Sequence, residues 1–424
     1  MNESTDILII GAGPAGMAAA LAASSSGARI VLLDDNPVPG GQIWRDGPQA
    51  NLPKQARRLR ERVRACTNVS WRMGARVIAS AADKTLLVED AERGWLIAYD
   101  RLILCTGARE LLLPFPGWTL PGVTGAGGLQ ALIKGGLPVR GERLVIAGSG
   151  PLLLASAATA KHHGAQLLRI AEQANRAAVA GFAASLPRWP GKLLQAFSLF
   201  DAHYRTGTHV VEALGKDKLE SVRLLQHGKT VELACDRLAC GFGLIPNTQL
   251  GQALGCGLDG QALAVDARQA TTRVDHYAAG ECTGFGGSEL ALVEGAIAGH
   301  AAGGDTLAAE RLWPRRARWQ GFAQALNTAF ALDAHLKNLP QRDTLVCRCE
   351  DVAYGELSDF ENWREAKLAS RCGMGACQGR VCGAALEHLL GWTPPAPRPP
   401  LSPARIETLL RLEDLPFNRE RPCA

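Results

Sequence analysis

The chain has 424 residues, of which 47% are hydrophobic and 21% are charged. That much apolar surface can offset the entropy of ordering the chain, which excludes disorder as the dominant state. The length predicts roughly two to four domains. The formal net charge of +5 is spread along the chain without a dense block of lysine and arginine, which excludes a typical nucleic-acid-binding protein.

The amino-terminal segment predicts neither a signal peptide nor a transmembrane segment. Residues 1–6 are acidic rather than basic, and the apolar run that follows is broken by the glycines and proline of residues 11–16. A disulfide framework is unusual in a chain of this length without a secretion signal, although the sequence holds 12 cysteines. We therefore expect a protein of the reducing cytoplasm.

The first predicted unit is a strand, a glycine-rich turn, a helix and a second strand that ends in an acid. Residues 7–10 are a continuous apolar run, as in a parallel strand that is buried on both faces. In such a turn the glycines permit a tight bend, close approach of a pyrophosphate to the helix N-terminus, and tight helix–strand packing. Asp34 is placed to bind an adenosine ribose, with Asp35 as the alternative, and a turn without a ligand is the other interpretation. The turn residues predicted to bind a dinucleotide are Gly11, Gly13, Pro14, Ala15 and Gly16.

Three later segments distinguish FAD from NAD. Residues 40–45 form a flexible Gly-Gly turn, residues 102–108 predict a strand that ends in small residues, and residues 276–281 predict a short strand that stops at Gly-Glu. They resemble the FAD-domain signatures of the flavoprotein superfamily with two dinucleotide-binding domains, which includes glutathione reductase and ferredoxin reductases. The resemblance implies FAD, with a glutamate where the superfamily usually has aspartate. The further FAD-binding residues it implies are Gly41, Gln42, Arg45, Val77, Thr106, Gly107, Gly280 and Glu281.

A second nucleotide-binding pattern is incomplete. The turn at residues 148–153 has Leu153 in place of the third glycine. The following strand reaches Ala171 where an NAD site needs an acid, and Glu172 lies one residue late. We therefore predict the fold without NAD binding.

Several other reactive side chains are interpreted as structural. Cys235 and Cys240 permit a redox disulfide, but two buried thiols in a strand are the favoured interpretation. His203, His209 and His276 are predicted to be structural, and we predict no catalytic residue on this chain.

Closely spaced cysteines near the C-terminus predict a metal centre. Side chains at Cys347 and Cys349 fall on one face of an extended segment, so both thiolates can bind the same centre. Cys377 and Cys382, separated by four residues, supply a second pair, but Cys372 has the same spacing from Cys377. Cys-x-Cys spacing is unusual for zinc, and a one-electron carrier next to a flavin has a function that zinc lacks. We therefore predict a [2Fe–2S] cluster rather than a zinc site or unligated thiols.

The cysteine segment resembles the [2Fe–2S] module, of the bacterioferritin-associated-ferredoxin type, on the large flavoprotein subunits of opine oxidases, D-hydroxyproline dehydrogenases and hydrogen cyanide synthase. In those subunits the residue that matches Cys372 is commonly small. The resemblance therefore implies ligation by Cys347, Cys349, Cys377 and Cys382. It extends over nearly the whole chain and implies the FAD and [2Fe–2S] subunit of a heteromeric amino-acid or opine dehydrogenase, an oxidoreductase acting on CH–NH donors.

In such complexes a second flavoprotein subunit, similar to glycine and D-amino-acid oxidases, oxidises a secondary amine to an imine. Some relatives add a small third subunit, and some place an FMN at a subunit interface, although nothing in this sequence shows an FMN site. Two alternatives stay open. One is a self-contained NAD(P)H-dependent flavin reductase of the ferredoxin-reductase type, and the other is a zinc-containing scaffold subunit.

Together the patterns predict an α/β fold with two Rossmann-like dinucleotide-binding domains of the glutathione-reductase type and a small, mostly helical C-terminal [2Fe–2S] module. The predicted divisions are an FAD domain at 1–137 and 245–304, an NAD(P)-like domain at 138–244, a connector at 305–340, the cysteine module at 341–392 and a proline-rich tail at 393–424.

Overall fold

A computed structural model of the protein describes residues 3–48 and 50–413. A mixed sheet and a parallel sheet, each flanked by helices, are followed by a small, mostly helical C-terminal part, which confirms the predicted fold class. The strands are β1 (Glu3–Ile10), β2 (Ile30–Asp34), β3 (Val69–Met73), β4 (Arg76–Ala82), β5 (Thr85–Glu89), β6 (Gly94–Leu104), β7 (Ala108–Glu110), β8 (Val123–Gly125), β9 (Arg143–Gly148), β10 (Gln166–Glu172), β11 (Tyr204–Arg205), β12 (Thr208–Leu214), β13 (Ser221–Gln226), β14 (Lys229–Ala234), β15 (Arg237–Gly241), β16 (Leu244–Pro246), β17 (Leu258–Asp259), β18 (Ala262–Leu263), β19 (His276–Ala278), β20 (Leu345–Cys347) and β21 (Val352–Ala353). The helices are α1 (Pro14–Ala23), α2 (Lys54–Arg64), α3 (Ala126–Lys134), α4 (Leu152–His162), α5 (Arg176–Ser185), α6 (Pro190–Leu199), α7 (Gln249–Ala253), α8 (Gly287–Ala302), α9 (Thr306–Glu310), α10 (Trp313–Ala329), α11 (Tyr354–Leu357), α12 (Trp363–Ser370), α13 (Cys382–Leu390) and α14 (Ile406–Leu409).

The first sheet has the strand order β3-β2-β1-β6-β5-β4, and β19 pairs with β6. Strands β1, β2, β3 and β19 run parallel to their neighbours, so the ends of β1, β2 and β19 meet at one edge. Helix α1 packs against α8 with the backbones close together, because a Cβ atom on Gly295 would lie only 2.1 Å from the Ala15 carbonyl oxygen. This packing fixes α1 at the carboxyl edge of the sheet, where α/β proteins bind ligands.

The second sheet is parallel throughout, in the order β11-β10-β9-β15-β8, and a separate antiparallel sheet contains β12, β13 and β14. Val145 and Ile146 in β9 are fully buried, as their apolar run predicts. The edge strand β8 and the helix α3 after it both precede residue 138. The predicted boundary at that residue therefore leaves an edge strand of the second sheet outside the second domain.

The C-terminal part contains the β20–β21 hairpin and helices α11 to α13, joined by loops that carry most of its cysteines. The tail after it returns to the first sheet, where Leu409 and Leu412 pack against Ile78 and Leu87. The predicted tail is thus docked over part of its length, while residues 414–424 lie outside the described residues. Within the described ranges, no helix is both long and apolar enough to cross a membrane.

Candidate functional site

The first glycine-rich turn is as tight as its sequence predicts. Gly11 has φ +106°, and a Cβ atom there would lie 2.1 Å from the carbonyl oxygen of Cys105. A Cβ atom on Gly16 would lie 1.7 Å from the carbonyl oxygen of Gly11, so only glycine fits. Helix α1 starts at Pro14 after Gly13, without a side-chain cap or an acidic residue in its first turn. Its first N–H groups therefore lack intrahelical or side-chain acceptors, which suits an anionic ligand.

The acid at the end of β2 is bound to the turn itself. Asp34 is only 6% exposed, and its two carboxylate oxygens accept hydrogen bonds from the N–H groups of Ala12 (2.5 Å) and Asn36 (2.8 Å). The neighbouring Asp35 is exposed and accepts a hydrogen bond from the Asn36 side chain at 2.9 Å. Asp34 therefore stabilises the turn, and Asp35 is the acid that has capacity left for a ribose.

The Gly-Gly turn lies directly on the first glycine-rich turn. The N–H of Gly40 donates to the carbonyl oxygen of Ala12 at 2.9 Å, and a Cβ atom on Gly41 would lie 3.0 Å from the Cα atom of Gly13. Such a close approach of two backbones requires glycine at Gly41, which also has φ +61°. The two turns therefore lie backbone against backbone beside the N-terminus of α1.

Two cations, Arg45 and Lys134, follow next. Arg45 donates to the Gln42 side chain at 2.7 Å, while its Nε atom is buried and has no hydrogen-bond partner in the described part of the chain. Lys134 lies close by, and burial together with the charge of Arg45 lowers the pKa of its amine. An unpaired buried donor and two adjacent cations fit a diphosphate, which would neutralise both charges.

The predicted flavin-side residues gather at the same sheet edge. The Thr106 hydroxyl donates to the Asn247 carbonyl oxygen at 2.6 Å, and Gly107 has φ +68° with open space where a Cβ atom would point. The Gly280 N–H donates to the carboxylate of Glu294 at 3.0 Å, and burial raises the pKa of that carboxyl to about 7.

The other two predicted FAD-binding residues on this side are Glu281 and Val77. Burial raises the pKa of Glu281, which begins the turn after β19. Val77 lies in β4, half-buried and opposite Val88. Helix α8 begins at Gly287 and has no side-chain cap at its N-terminus. The two glycine turns, the cations Arg45 and Lys134, and the uncapped N-termini of α1 and α8 fit FAD.

In the second nucleotide-binding fold, Glu172 lies level with the glycine turn, at the position where the sequence predicted Ala171. A bulge in β10 between Leu167 and Arg169 takes up one residue, so Glu172 pairs with Gly148, the first glycine of its turn. Both sheets therefore place an acid at the level of their glycine turn. The prediction that this acid lies one residue late was wrong, because a bulge shifts register without a sequence signal of its own.

The carboxylate of Glu172 is occupied by protein groups. It accepts hydrogen bonds from the N–H groups of Gly150 and Ala174, each at 2.8 Å, and from the Tyr204 hydroxyl at 3.2 Å. Burial raises the pKa of Glu172 to about 7, because these hydrogen bonds only partly offset the loss of hydration. The acid therefore holds the turn rather than facing an open site.

The connector covers this second glycine turn. After α10, the carbonyl oxygens of Phe330 and Ala331 accept hydrogen bonds from the Ser149 hydroxyl (2.8 Å) and the Gln173 amide (2.9 Å). The Phe330 Cβ atom lies 3.8 Å from the point where Gly150 would carry a Cβ atom. A dinucleotide pyrophosphate approaches its binding turn at this position, so the second fold is closed by its own chain.

The C-terminal cysteines converge. Cys347 ends β20, Cys382 begins α13, and Cys372 lies in the loop before Gly373. These three sulfur atoms lie within 4.8 Å of one another, and all three side chains are buried. The N–H of Gly373 also donates to the Cys347 sulfur at 3.5 Å.

The remaining two thiols form the outer part of the same cluster. Cys349 lies in the exposed turn after β20, so it does not share a strand face with Cys347 as the spacing predicted. The thiol of Cys377 lies beside it. Burial would raise the pKa of Cys377, but N–H groups of residues 379–381 and the Cys349 thiol lower it overall. Clustered thiols with backbone donors fit a thiolate-bound metal centre.

Other candidate residues have structural partners. Cys235 and Cys240 are buried free thiols, and burial raises the pKa of each. The His276 ring contacts the Tyr99 hydroxyl at 3.1 Å, His209 contacts the ring of His335 at 3.1 Å, and His203 contacts the carboxylate of Asp201 at 2.7 Å.

The cysteine loop contacts the flavin-side residues through one arginine. The Arg109 guanidinium donates to the Arg380 carbonyl oxygen at 3.1 Å and to the Asn247 side chain at 3.0 Å. Arg380 lies between Cys377 and Cys382, and Asn247 is the partner of Thr106. On the other side of the module, the Trp118 ring N–H donates to the Leu345 carbonyl oxygen at 2.6 Å. These contacts hold the cysteine module against the β7–β16 pair and against the hydrophobic core of the second sheet, which contains Trp118.

Comparison with known proteins agrees with this geometry. Residues 5–300 match the family model for pyridine nucleotide-disulphide oxidoreductases. Hydrogen cyanide synthase subunit HcnB from Pseudomonas aeruginosa is 31% identical over 453 residues, which cover 93% of this chain and 96% of that protein. An opine oxidase subunit from Rhizobium meliloti is 32% identical over 467 residues, which cover 97% of this chain and 88% of that protein.

Among solved structures, L-proline dehydrogenase from P. horikoshii aligns with a TM-score of 0.67 and 18% identity, over 96% of this chain and 80% of that chain. This similarity supports the fold, and the sequence relatives confirm the predicted resemblance. The chain therefore belongs to the pyridine nucleotide-disulphide oxidoreductase family, and it is a flavoprotein oxidoreductase related over nearly its whole length to hydrogen cyanide synthase subunit HcnB and to an opine oxidase subunit.

Proposed function

We propose that this chain is the electron-transfer subunit of a heteromeric dehydrogenase that oxidises the C–N bond of an amino acid or opine. In this proposal it holds FAD and a [2Fe–2S] cluster, and a partner flavoprotein subunit oxidises the secondary amine to an imine. The relatives are named as subunits of hydrogen cyanide synthase and opine oxidase, which supports a role within a complex.

The observation that carries the proposal is the hydrogen bond from Arg109 to the carbonyl oxygen of Arg380, at 3.1 Å. Arg109 is two residues from Gly107 at the flavin side, and Arg380 is two residues from Cys382 in the cysteine cluster. A short connection of this kind between two redox sites supports electron exchange between them. A zinc-containing scaffold subunit would not need such a connection.

Bound FAD supplies the exchange between two-electron and one-electron transfer that links a dehydrogenation to an iron–sulfur carrier. The residues of this chain bind the cofactors and fix their orientation. The N-terminus of α1, together with Arg45 and Lys134, would hold the diphosphate, and the Thr106–Asn247 pair would fix the backbone on the flavin side. The four thiols Cys347, Cys349, Cys377 and Cys382 would bind the cluster, and the N–H groups near Cys377 would stabilise its negative charge.

The closed second fold supports a source of electrons other than a nicotinamide. Phe330 and Ala331 lie over the turn that a pyrophosphate would need, and Leu153 is fully buried in the domain core. The self-contained NAD(P)H reductase therefore has less support than the electron-transfer role.

The test is co-expression with a candidate partner flavoprotein, followed by anaerobic purification and assay. We expect FAD, iron and acid-labile sulfide on this chain, and dye reduction with an opine or D-hydroxyproline only when both proteins are present. The control is each of the two proteins assayed alone at the same flavin concentration. Full-rate oxidation by this chain without a partner would contradict the division of labour, and zinc without sulfide would contradict the cluster.

A further inference from the structure

Cys372 is a fifth thiol at a centre that needs four. Its side chain is 1% exposed, and its sulfur lies within 4.8 Å of the sulfurs of both Cys347 and Cys382. Two thiolates on one tetrahedral metal with bonds of about 2.3 Å lie about 3.8 Å apart, so Cys372 is already near a ligand position.

The backbone around Cys372 turns its side chain inward. Arg371 ends α12 with φ +63°, and Gly373 has φ +78°, so Cys372 lies between two left-handed residues. The ring of Trp363 packs against this loop and against the loop that contains Gly379, because Cβ atoms on Gly373 and Gly379 would lie 2.7 and 3.3 Å from it. Trp363 therefore holds the two cysteine-bearing loops beside each other.

We propose that Cys372 is an exchangeable ligand that can replace Cys382 at the metal centre. When the bond from iron to the Cys382 sulfur breaks, a bond to the Cys372 sulfur forms. The proton of the Cys372 thiol passes to the released Cys382 thiolate, so the charge and the oxidation state of the centre stay unchanged. This inference rests on the proposed function in one respect, because it takes the centre to be the predicted iron–sulfur cluster.

The experiment compares anaerobically purified full-length wild type, Cys372→Ala, Cys382→Ala and the double variant. Iron and acid-labile sulfide per chain, and the EPR spectrum after dithionite reduction, are the readouts. We expect Cys372→Ala to match wild type. Cys382→Ala should keep more than half of the iron and sulfide with shifted g values, because Cys372 replaces the missing ligand. The double variant should lose at least nine tenths of both.

Cys349→Ala is the matched control, because Cys349 lies outside the three-sulfur group. It should lose the cluster although Cys372 is present. Bound FAD, measured by absorbance after denaturation, confirms that each variant is folded. Loss of iron from Cys382→Ala as complete as from the double variant would overturn the proposal, and so would loss of iron from Cys372→Ala alone. If wild type contains neither iron nor sulfide, it is the proposed function that fails. Zinc analysis of the same four proteins then tests the exchange independently.

Discussion

Glu89 attaches the C-terminal tail to the first sheet. Its side chain, at the end of β5, is 1% exposed. It accepts hydrogen bonds from the Arg76 guanidinium at 2.8 Å and from the backbone N–H of Arg405 at 2.9 Å. Burial alone would raise the pKa of Glu89, but hydrogen bonds that include those from Arg76 and Arg405 outweigh it and lower the pKa from 4.5 to about 2. The ionised carboxylate therefore stabilises the docked tail.

The size of this contribution follows from the pKa. A pKa lowered from 4.5 to about 2 corresponds to about 3 kcal/mol of stability, as an order of magnitude. Because the pKa of the folded protein is the lower one, this stability is fully present above pH 4.5. It is lost as the pH falls from about 4.5 towards 2. Glu89→Gln should therefore weaken tail docking by up to about 3 kcal/mol at pH 7, and by progressively less below pH 4.5.

Amide hydrogen exchange measures this effect locally, which matters because a multidomain chain need not unfold in one step. The N–H of Arg405, which donates to Glu89, should exchange at least tenfold faster in Glu89→Gln at pH 7. Each factor of ten is about 1.4 kcal/mol, and part of the total of about 3 kcal/mol comes from Arg76 in β4 rather than from the tail. Glu92→Gln, an exposed carboxyl in the adjacent loop, is the control and should exchange like wild type. Unchanged protection at Arg405, or a difference that grows on acidification, would refute the reasoning.

Three further predictions concern the cofactor sites. Gly16→Ala should abolish FAD binding, measured by flavin absorbance, because its Cβ atom would lie 1.7 Å from the Gly11 carbonyl oxygen. The control is Gly181→Ala, which has open space around it and should keep full FAD occupancy. NADH or NADPH mixed with the protein in a stopped-flow instrument should leave the flavin absorbance unchanged over seconds, because Phe330 covers the second turn; rapid bleaching would contradict that closure. Arg109→Gln should slow electron transfer from substrate to an external dye at least tenfold in the assembled complex, while FAD and iron contents stay at wild-type levels. An unchanged rate would show that Arg109 is not part of the electron-transfer path.

Local patterns in the sequence predicted the fold class and the position of the first turn, because their causes are local. The strand, turn and helix around Gly11 are contiguous, and Gly11 and Gly16 each have a steric reason that their spacing already indicates. The assignment of FAD-binding residues stays a prediction, although most of these residues gather at one sheet edge. The spacing could not show which of the two acids is free to bind a ribose. Asp34 and Asp35 differ only in the hydrogen bonds that the folded turn donates to them.

The features that sequence reasoning missed depend on contacts between distant residues. Phe330 reaches the turn at Ser149 across 181 positions of sequence, and no periodicity encodes that contact. The bulge that aligns Glu172 with its turn likewise depends on how β10 pairs with β9. These two contacts act together. The bulge directs the acid to the turn's own N–H groups, and the connector then covers that turn. The second domain therefore keeps a nucleotide-binding fold, but its glycine turn serves as a docking surface for the segment that leads to the cysteine module.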